Sequence, residues 1–387
     1  MNLTILILGL LTAFGPLSID MYLPALPGIA KDFAVPLASV QLSLASFLVG
    51  IALGQIFYGP ITDRWGRKKP LYIGLIIYAL ASFACASTFS VNGLILYRFM
   101  QALGACAGMV ITRAMVRDLY QSHESAKVFS LLMLIMGVAP ILAPVLGGVL
   151  TTAFGWRSIF WILTGISLLA LICVYKFLPE THKPDVKYGM KDIFRNYFGI
   201  LKDKNFTGYT LSMSLVYAGM FAYITGSPFV FINHYGLTPA QYAWVFGINA
   251  FGLIAFSQIN GRILRKLTPE TILVRALPFV TVFGVMIFIV GLMNGPIWAM
   301  CGCLFLIISN MGLIAPNTSA CALAHQKKHA GSASALMGTI QFAVAGIISS
   351  LVSHFHNGTI LPMTAIMCVC GVLSYLSYLL LIKRRVL

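Results

Sequence analysis

Apolar residues fall along this chain in runs of about twenty, separated by short polar turns. A helix rises about 1.5 Å per residue, so a run of about 20 crosses a hydrocarbon core of about 30 Å. Strands of a membrane barrel would be shorter and would alternate apolar with polar positions, which these runs do not. The pattern predicts twelve membrane-spanning helices. Six lie in a first half, at residues 3–29, 40–62, 71–89, 93–116, 129–150 and 160–177. The other six are residues 208–232, 243–260, 272–292, 297–323, 333–352 and 362–382. Residues 1–11 lack the basic start and small-residue cleavage site of a signal peptide, and are read as the beginning of a retained first span. The expected architecture is an all-α membrane protein of two six-helix bundles, 1–177 and 207–387. A cytosolic linker, 178–206, joins them. In it Lys183, Lys187, Lys191, Arg195, Lys202 and Lys204 interleave with Glu180, Asp185, Asp192 and Asp203, and the pattern around 192–201 suggests a short amphipathic helix on the membrane surface.

Charge sets the orientation. With both termini cytosolic, the outward segments hold only Lys31 and Arg157 of the 26 lysines and arginines, and Arg98 lies inside a span. Basic residues favour the cytosolic side, and a miscount of one span would randomise this asymmetry.

Composition removes other classes. The chain is 59% hydrophobic and 9% charged, against about 25% charged in soluble domains. The net charge of +16 does not point to nucleic acid, because the basic residues are distributed by turn and no soluble domain presents them. There is no G-x-x-x-x-G-K-[ST] loop, H-E-x-x-H or G-x-S-x-G, so neither ATP use nor catalysis is expected, and energy must come from a gradient. The eight cysteines fall almost entirely within apolar runs and read as packing residues, so no metal is expected.

Of the ten acids, Asp20 alone is inside a span. An ionised carboxylate there costs about 2.5 to 3.5 kcal/mol on insertion scales, so it should face a cavity, pair with a cation or take up a proton. Its position puts it about 24 Å from the inner face and about 6 Å from the outer one. Arg98, entering from the other side, lies about 8 Å below the same face, so a switchable pair is geometrically open. The alternative is that Asp20 bonds backbone freed by Pro24 and Pro27 while Arg98 snorkels to the interface.

The halves resemble each other. Ile61, Arg64, Arg67 and Lys68 after the second span recur as Ile259, Arg262, Arg265 and Lys266 after the eighth, a spacing of 198 residues, whereas Asp63 and Gly66 are lost. Halves repeated in parallel are how a large class of transporters builds a central site. Gly137, Pro140, Pro144, Gly147 and Gly148 share one span, which should bend and pack tightly on a neighbour. Tyr22, Gln101, Arg113, Tyr217, Phe221, Tyr223, Asn249, Asn310, Asn317 and Gln341 are candidates to line a substrate cavity, with helix packing or, for Arg113, snorkelling as the competing role.

The run Gly59, Pro60, Ile61, Thr62, Asp63, Arg64, Trp65, Gly66, Arg67, Lys68 resembles the signature loop of the major facilitator superfamily. The resemblance implies that Asp63 joins a charge cluster and helix-terminus contact that latches the outward-facing state, with Gly59 and Gly66 permitting close approach. Arg98, Gln101 and Gly104 are similar to the family's span-four motif, whose arginine is associated with proton coupling. Pro144, Gly147 and Gly148 resemble the end of its span-five antiporter motif, although Ala143 stands where many members have glycine. Residues 16–27, around Asp20, and the run Arg113 to Tyr120 resemble the Bcr/CflA subfamily of bacterial drug and proton antiporters. What the resemblance implies is a proton-coupled efflux antiporter of the bacterial inner membrane, working by alternating access on bicyclomycin- or chloramphenicol-type compounds. It would be a monomer with the bilayer, protons and a small molecule as partners, and protons in place of a cofactor. Export of an endogenous metabolite or siderophore, uptake by proton symport, and a non-transporting receptor or scaffold are the competing expectations.

Overall fold

In hydrocarbon every backbone amide needs a partner within its own segment, which makes long uninterrupted helices the economical answer to this sequence. The computed structural model describes residues 3–120, 122–181, 190–324, 326 and 330–382. Among them twelve helical segments are long and apolar enough to cross a membrane, and no strand is present. The first half has Leu3–Asp32, Leu37–Trp65, Lys68–Ser87, Val91–Leu119, Leu131–Phe154 and Arg157–Phe177; the second has Lys204–His234, Pro239–Ile263, Pro269–Leu292, Ile297–Ala324, Gly331–His354 and Leu361–Leu381. These are numbered as spans one to twelve.

The chain divides into two compact units, Met1–Asp192 and Ile193–Leu387. The linker carries the short helix that its sequence pattern suggested. Glu180 and Thr181 fold onto the first unit, a helix occupies Met190–Leu201, and span seven starts at Lys204. Lys183, Asp185 and Lys187 lie outside the described residues.

Small residues let the spans approach where no hydrophobic force separates helix from lipid. A Cβ on Gly54 of span two would press on Cys106 of span four, and 198 residues on a Cβ on Gly252 of span eight would overlap Ser309 and Phe305 of span ten. The repeat extends to the C-terminal ends of spans one and seven. Span one loses its α-helical form after Asp20 and passes through a 3-10 turn, Leu23–Ala25, where Tyr22 shares a hydrogen bond of 2.7 Å with Ser43 of span two. Span seven ends in a π-helical turn, Phe229–His234, just past Ser227, which shares a bond of 2.9 Å with Tyr242 of span eight. Both are tyrosine–serine ties with the partners exchanged.

All eight cysteines are free thiols. Arg157 is tied down: it donates to Asp32 at 2.6 Å and to the Thr88 carbonyl at 3.2 Å, and lies 4.2 Å from the Trp156 ring centroid.

Candidate functional site: a carboxyl and a caged arginine in the first unit

Asp20 ends the first α-helix, Leu3–Asp20, and is buried. Among the described residues no side chain or backbone group donates to its carboxylate and no cation pairs with it. In this structure Asp20 is neither ion-paired with Arg98 nor bonded to the backbone near Pro24 and Pro27.

Arg98 is fully enclosed, so it does not snorkel. Its Nη1 donates to Gln101 Oε1 at 2.5 Å and its Nη2 to the Ser18 carbonyl at 2.9 Å, while Nε has no protein partner. The rings of Phe47, Tyr22 and Phe160 lie 4.3, 4.6 and 5.8 Å from the guanidinium carbon. The Ser18 carbonyl belongs to the last turn of the first helix, where acceptors lose their in-helix partners and the helix dipole is negative. The cation is thus held by a helix terminus, an amide and aromatic faces instead of a carboxylate. It grips the backbone two residues before Asp20, which links the two groups through span one. The depth estimate put both side chains on one level, but could not show that guanidinium and carboxyl are aimed at different partners.

Gln101 and Tyr22, expected toward substrate, are fully buried in this cage. Gln101 Nε2 donates to Ser82 Oγ at 2.7 Å, and Tyr22 is spent on Ser43. They position Arg98.

Span five reaches the same place. A Cβ on Gly147 would overlap the Met21 carbonyl, so only glycine admits the chain break directly after Asp20. Gly148, Pro144 and Ala143 beside it are buried too, and Pro140 and Pro144 leave Ser122–Phe154 one continuous helix. Gly137 is an intermediate position on that helix.

The turn after span two forms a second cluster. Arg67 Nη1 donates to Asp63 at 2.6 Å and Thr62 at 3.0 Å, and its Nε to Asp118 at 2.9 Å. The backbone N–H groups of Arg67 and Lys68 donate to the two Glu180 oxygens at 2.8 and 3.0 Å, so this carboxylate caps the start of span three. Burial disfavours the Arg67 charge, but the hydrogen bonds to Asp118 and Asp63 outweigh it and hold the guanidinium above its ordinary value. Gly66 has φ +81° and a Cβ there would press on Glu180, so it is glycine for two reasons. Gly59 departs from expectation, since a Cβ there would meet nothing within 4 Å. Arg64 is exposed.

The family model described as Major Facilitator Superfamily matches residues 8–350. The chain belongs to that superfamily. It is 37% identical over 384 residues to an uncharacterised MFS-type transporter, YdgK, of Bacillus subtilis (strain 168), covering 98% of this chain and 95% of that one. A bicyclomycin resistance protein homolog of Haemophilus influenzae is 34% identical over 383 residues, covering 98% and 96%. Among solved structures the xylose transporter XylE of E. coli, in a partially occluded inward-open conformation, superposes with a TM-score of 0.76 over 99% of each chain at 14% identity, a likeness of fold. The chain is accordingly a multi-pass membrane transporter and not an enzyme.

In this superfamily member the second unit holds the remaining candidates, and most are occupied by the protein. Asn317 donates to Asn260 at 2.6 Å and to the Leu313 carbonyl at 2.7 Å, Asn310 donates to the Ala276 carbonyl at 2.8 Å, and Asn249 donates to Tyr223 at 3.0 Å. These amides bond within and between helices, the competing packing role. Tyr217, Phe221 and Phe342 form an aromatic cluster with centroids 5.3 to 6.2 Å apart, and next to it Gln341 Nε2 is buried without a partner. Arg113 is exposed at its position in span four. Asp118 and Glu180 were the residues missed. Asp118 sits inside the run Arg113 to Tyr120, but nothing in the sequence pairs Glu180 with a turn 112 residues earlier.

Proposed function

We propose that this chain is a proton-coupled exporter of small amphipathic compounds in the bacterial inner membrane, with both termini cytosolic, working by alternating access. One observation carries the reading: Asp20, an acid deep in an apolar run, is buried at a helix break with neither cation nor hydrogen-bond donor among the described residues to offset its charge. Such a carboxyl is costly to keep ionised and is relieved by a proton, the property a coupling group needs. A proton entering from the acidic outside binds Asp20 and leaves to the cytosol as substrate moves the other way. Arg98 positions the carboxyl by gripping Ser18, and Gly147 lets the break after Asp20 pack against span five. The relatives named for bicyclomycin resistance support drug-like substrates, with chloramphenicol-type molecules next and an endogenous metabolite as the competing cargo.

The test is drug accumulation in everted vesicles energised by respiration. Wild type accumulates substrate and loses it when the proton gradient is collapsed. Asp20→Asn, which is nearly isosteric and cannot ionise, reaches the membrane and shows no gradient-driven accumulation. Gradient-driven transport at the wild-type rate by that variant overturns the coupling role. Wild-type transport out of the everted vesicles establishes uptake instead.

A further inference from the structure

The transport chemistry leaves unused a groove on the first unit, at the end that carries the Arg67 turn. It runs between spans three and six, has a volume of about 500 Å³ and is lined by Tyr72, Ile76, Leu171, Ile172, Tyr175 and Lys176. Ile76, Ile172 and Tyr175 are exposed, so the groove opens sideways, where a bilayer lies. Its mouth is basic. Lys176 lines it, and the Lys68 ammonium stands 5.7 Å from the centroid of the Tyr72 ring.

Neither lysine is ion-paired among the described residues. The neighbouring acids are engaged elsewhere: Glu180 caps span three, and Asp63 and Asp118 hold Arg67. Among the described residues, then, two ammonium groups without an ion-pair partner stand at a carbon-lined groove. Two tyrosines lie at the level where amphipathic rings favour the membrane interface.

We propose that this groove binds an anionic phospholipid, with an acyl chain along Ile76, Leu171 and Ile172 and the headgroup phosphate between Lys68 and Lys176. The inference rests on the membrane-spanning assignment of spans three and six and is independent of the coupling role of Asp20.

The test is native mass spectrometry of the full chain, purified in detergent and equilibrated with equimolar phosphatidylglycerol and phosphatidylethanolamine. Wild type retains phosphatidylglycerol preferentially. Lys176→Gln lowers that retention about fivefold and Lys68→Gln/Lys176→Gln about 25-fold, following the contribution of each basic residue at an anionic membrane surface. Ile172→Trp, which fills the groove and leaves the charge alone, also lowers it. Lys31→Gln, at the other end of the unit, does not. Undiminished retention by the double variant, an equal fall in Lys31→Gln, or equal binding of the two lipids overturns the site. Vesicle transport measured on the same variants reports separately on the exporter reading, because lipid retention is read without any proton gradient.

Discussion

The turn after span two and the turn after span eight share Ile, Arg, Arg and Lys at a spacing of 198 residues, yet they are held by opposite chemistry. In the first, Arg67 gathers Asp63, Thr62 and Asp118, and Glu180 caps the next helix. In the second, the position of Thr62 is taken by Asn260, which accepts from Asn317, while Arg265, at the position of Arg67, is exposed with no ion pair among the described residues. The contrast extends into the spans: Asp20 and Arg98 have no buried charged counterparts among the described residues of the second unit, whose buried polar contacts include amides, hydroxyls and a tyrosine–amide bond. A neutral amide pair does what packing requires. Among the described residues, the buried charges and the charge-locked turn fall in the first half.

Arg67→Ala should break this contrast most visibly. Removing the cation leaves Asp118, whose side chain is 19% exposed, with only the Thr181 hydroxyl as a donor, at a cost of about 2–3 kcal/mol for the lost charged hydrogen bonds, read as a lower thermal midpoint of the purified protein. Arg67→Lys should recover only part, because an ammonium cannot hold Asp63 and Asp118 in the same fork. Next is Gly147→Ala, whose methyl must displace the Met21 carbonyl; a loss of about 1–3 kcal/mol and reduced export are expected. Gly302→Ala, in span ten with open space around it, should be neutral or slightly stabilising. Asn317→Ala should cost about 1 kcal/mol and leave the substrate profile unchanged. A shifted drug profile at unaltered stability would return Asn317 to the substrate path. Arg265→Ala should fall within about 0.5 kcal/mol of wild type. If it matches Arg67→Ala, the two turns are equivalent and the contrast fails.

The spans were legible because the hydrocarbon thickness fixes run length, and turn charge punctuates the runs within a few residues of the helices found. Asp20 was legible for the same reason, since an acid within an apolar run has few innocent explanations. Its relation to Arg98 was not. Depth along two helices gives height but not the direction of a side chain, and the guanidinium turns to the Ser18 carbonyl and three rings. Glu180 escaped because its role depends on the chain returning to a turn far away in sequence, which no local pattern records. For Tyr22, Gln101 and Asn317 the sequence left two roles open, because polarity in a membrane helix marks a need for a partner without saying whether protein or ligand supplies it; in the structure protein groups supply it.

The central claim is that Asp20 carries the exchanged proton. It is tested most directly by adding a transported drug to the purified protein in weakly buffered detergent and recording proton release with a pH indicator. Wild type should release protons on binding and Asp20→Asn none, with binding itself retained in both. Release of the same size from the variant would place the proton on another group and contradict the account.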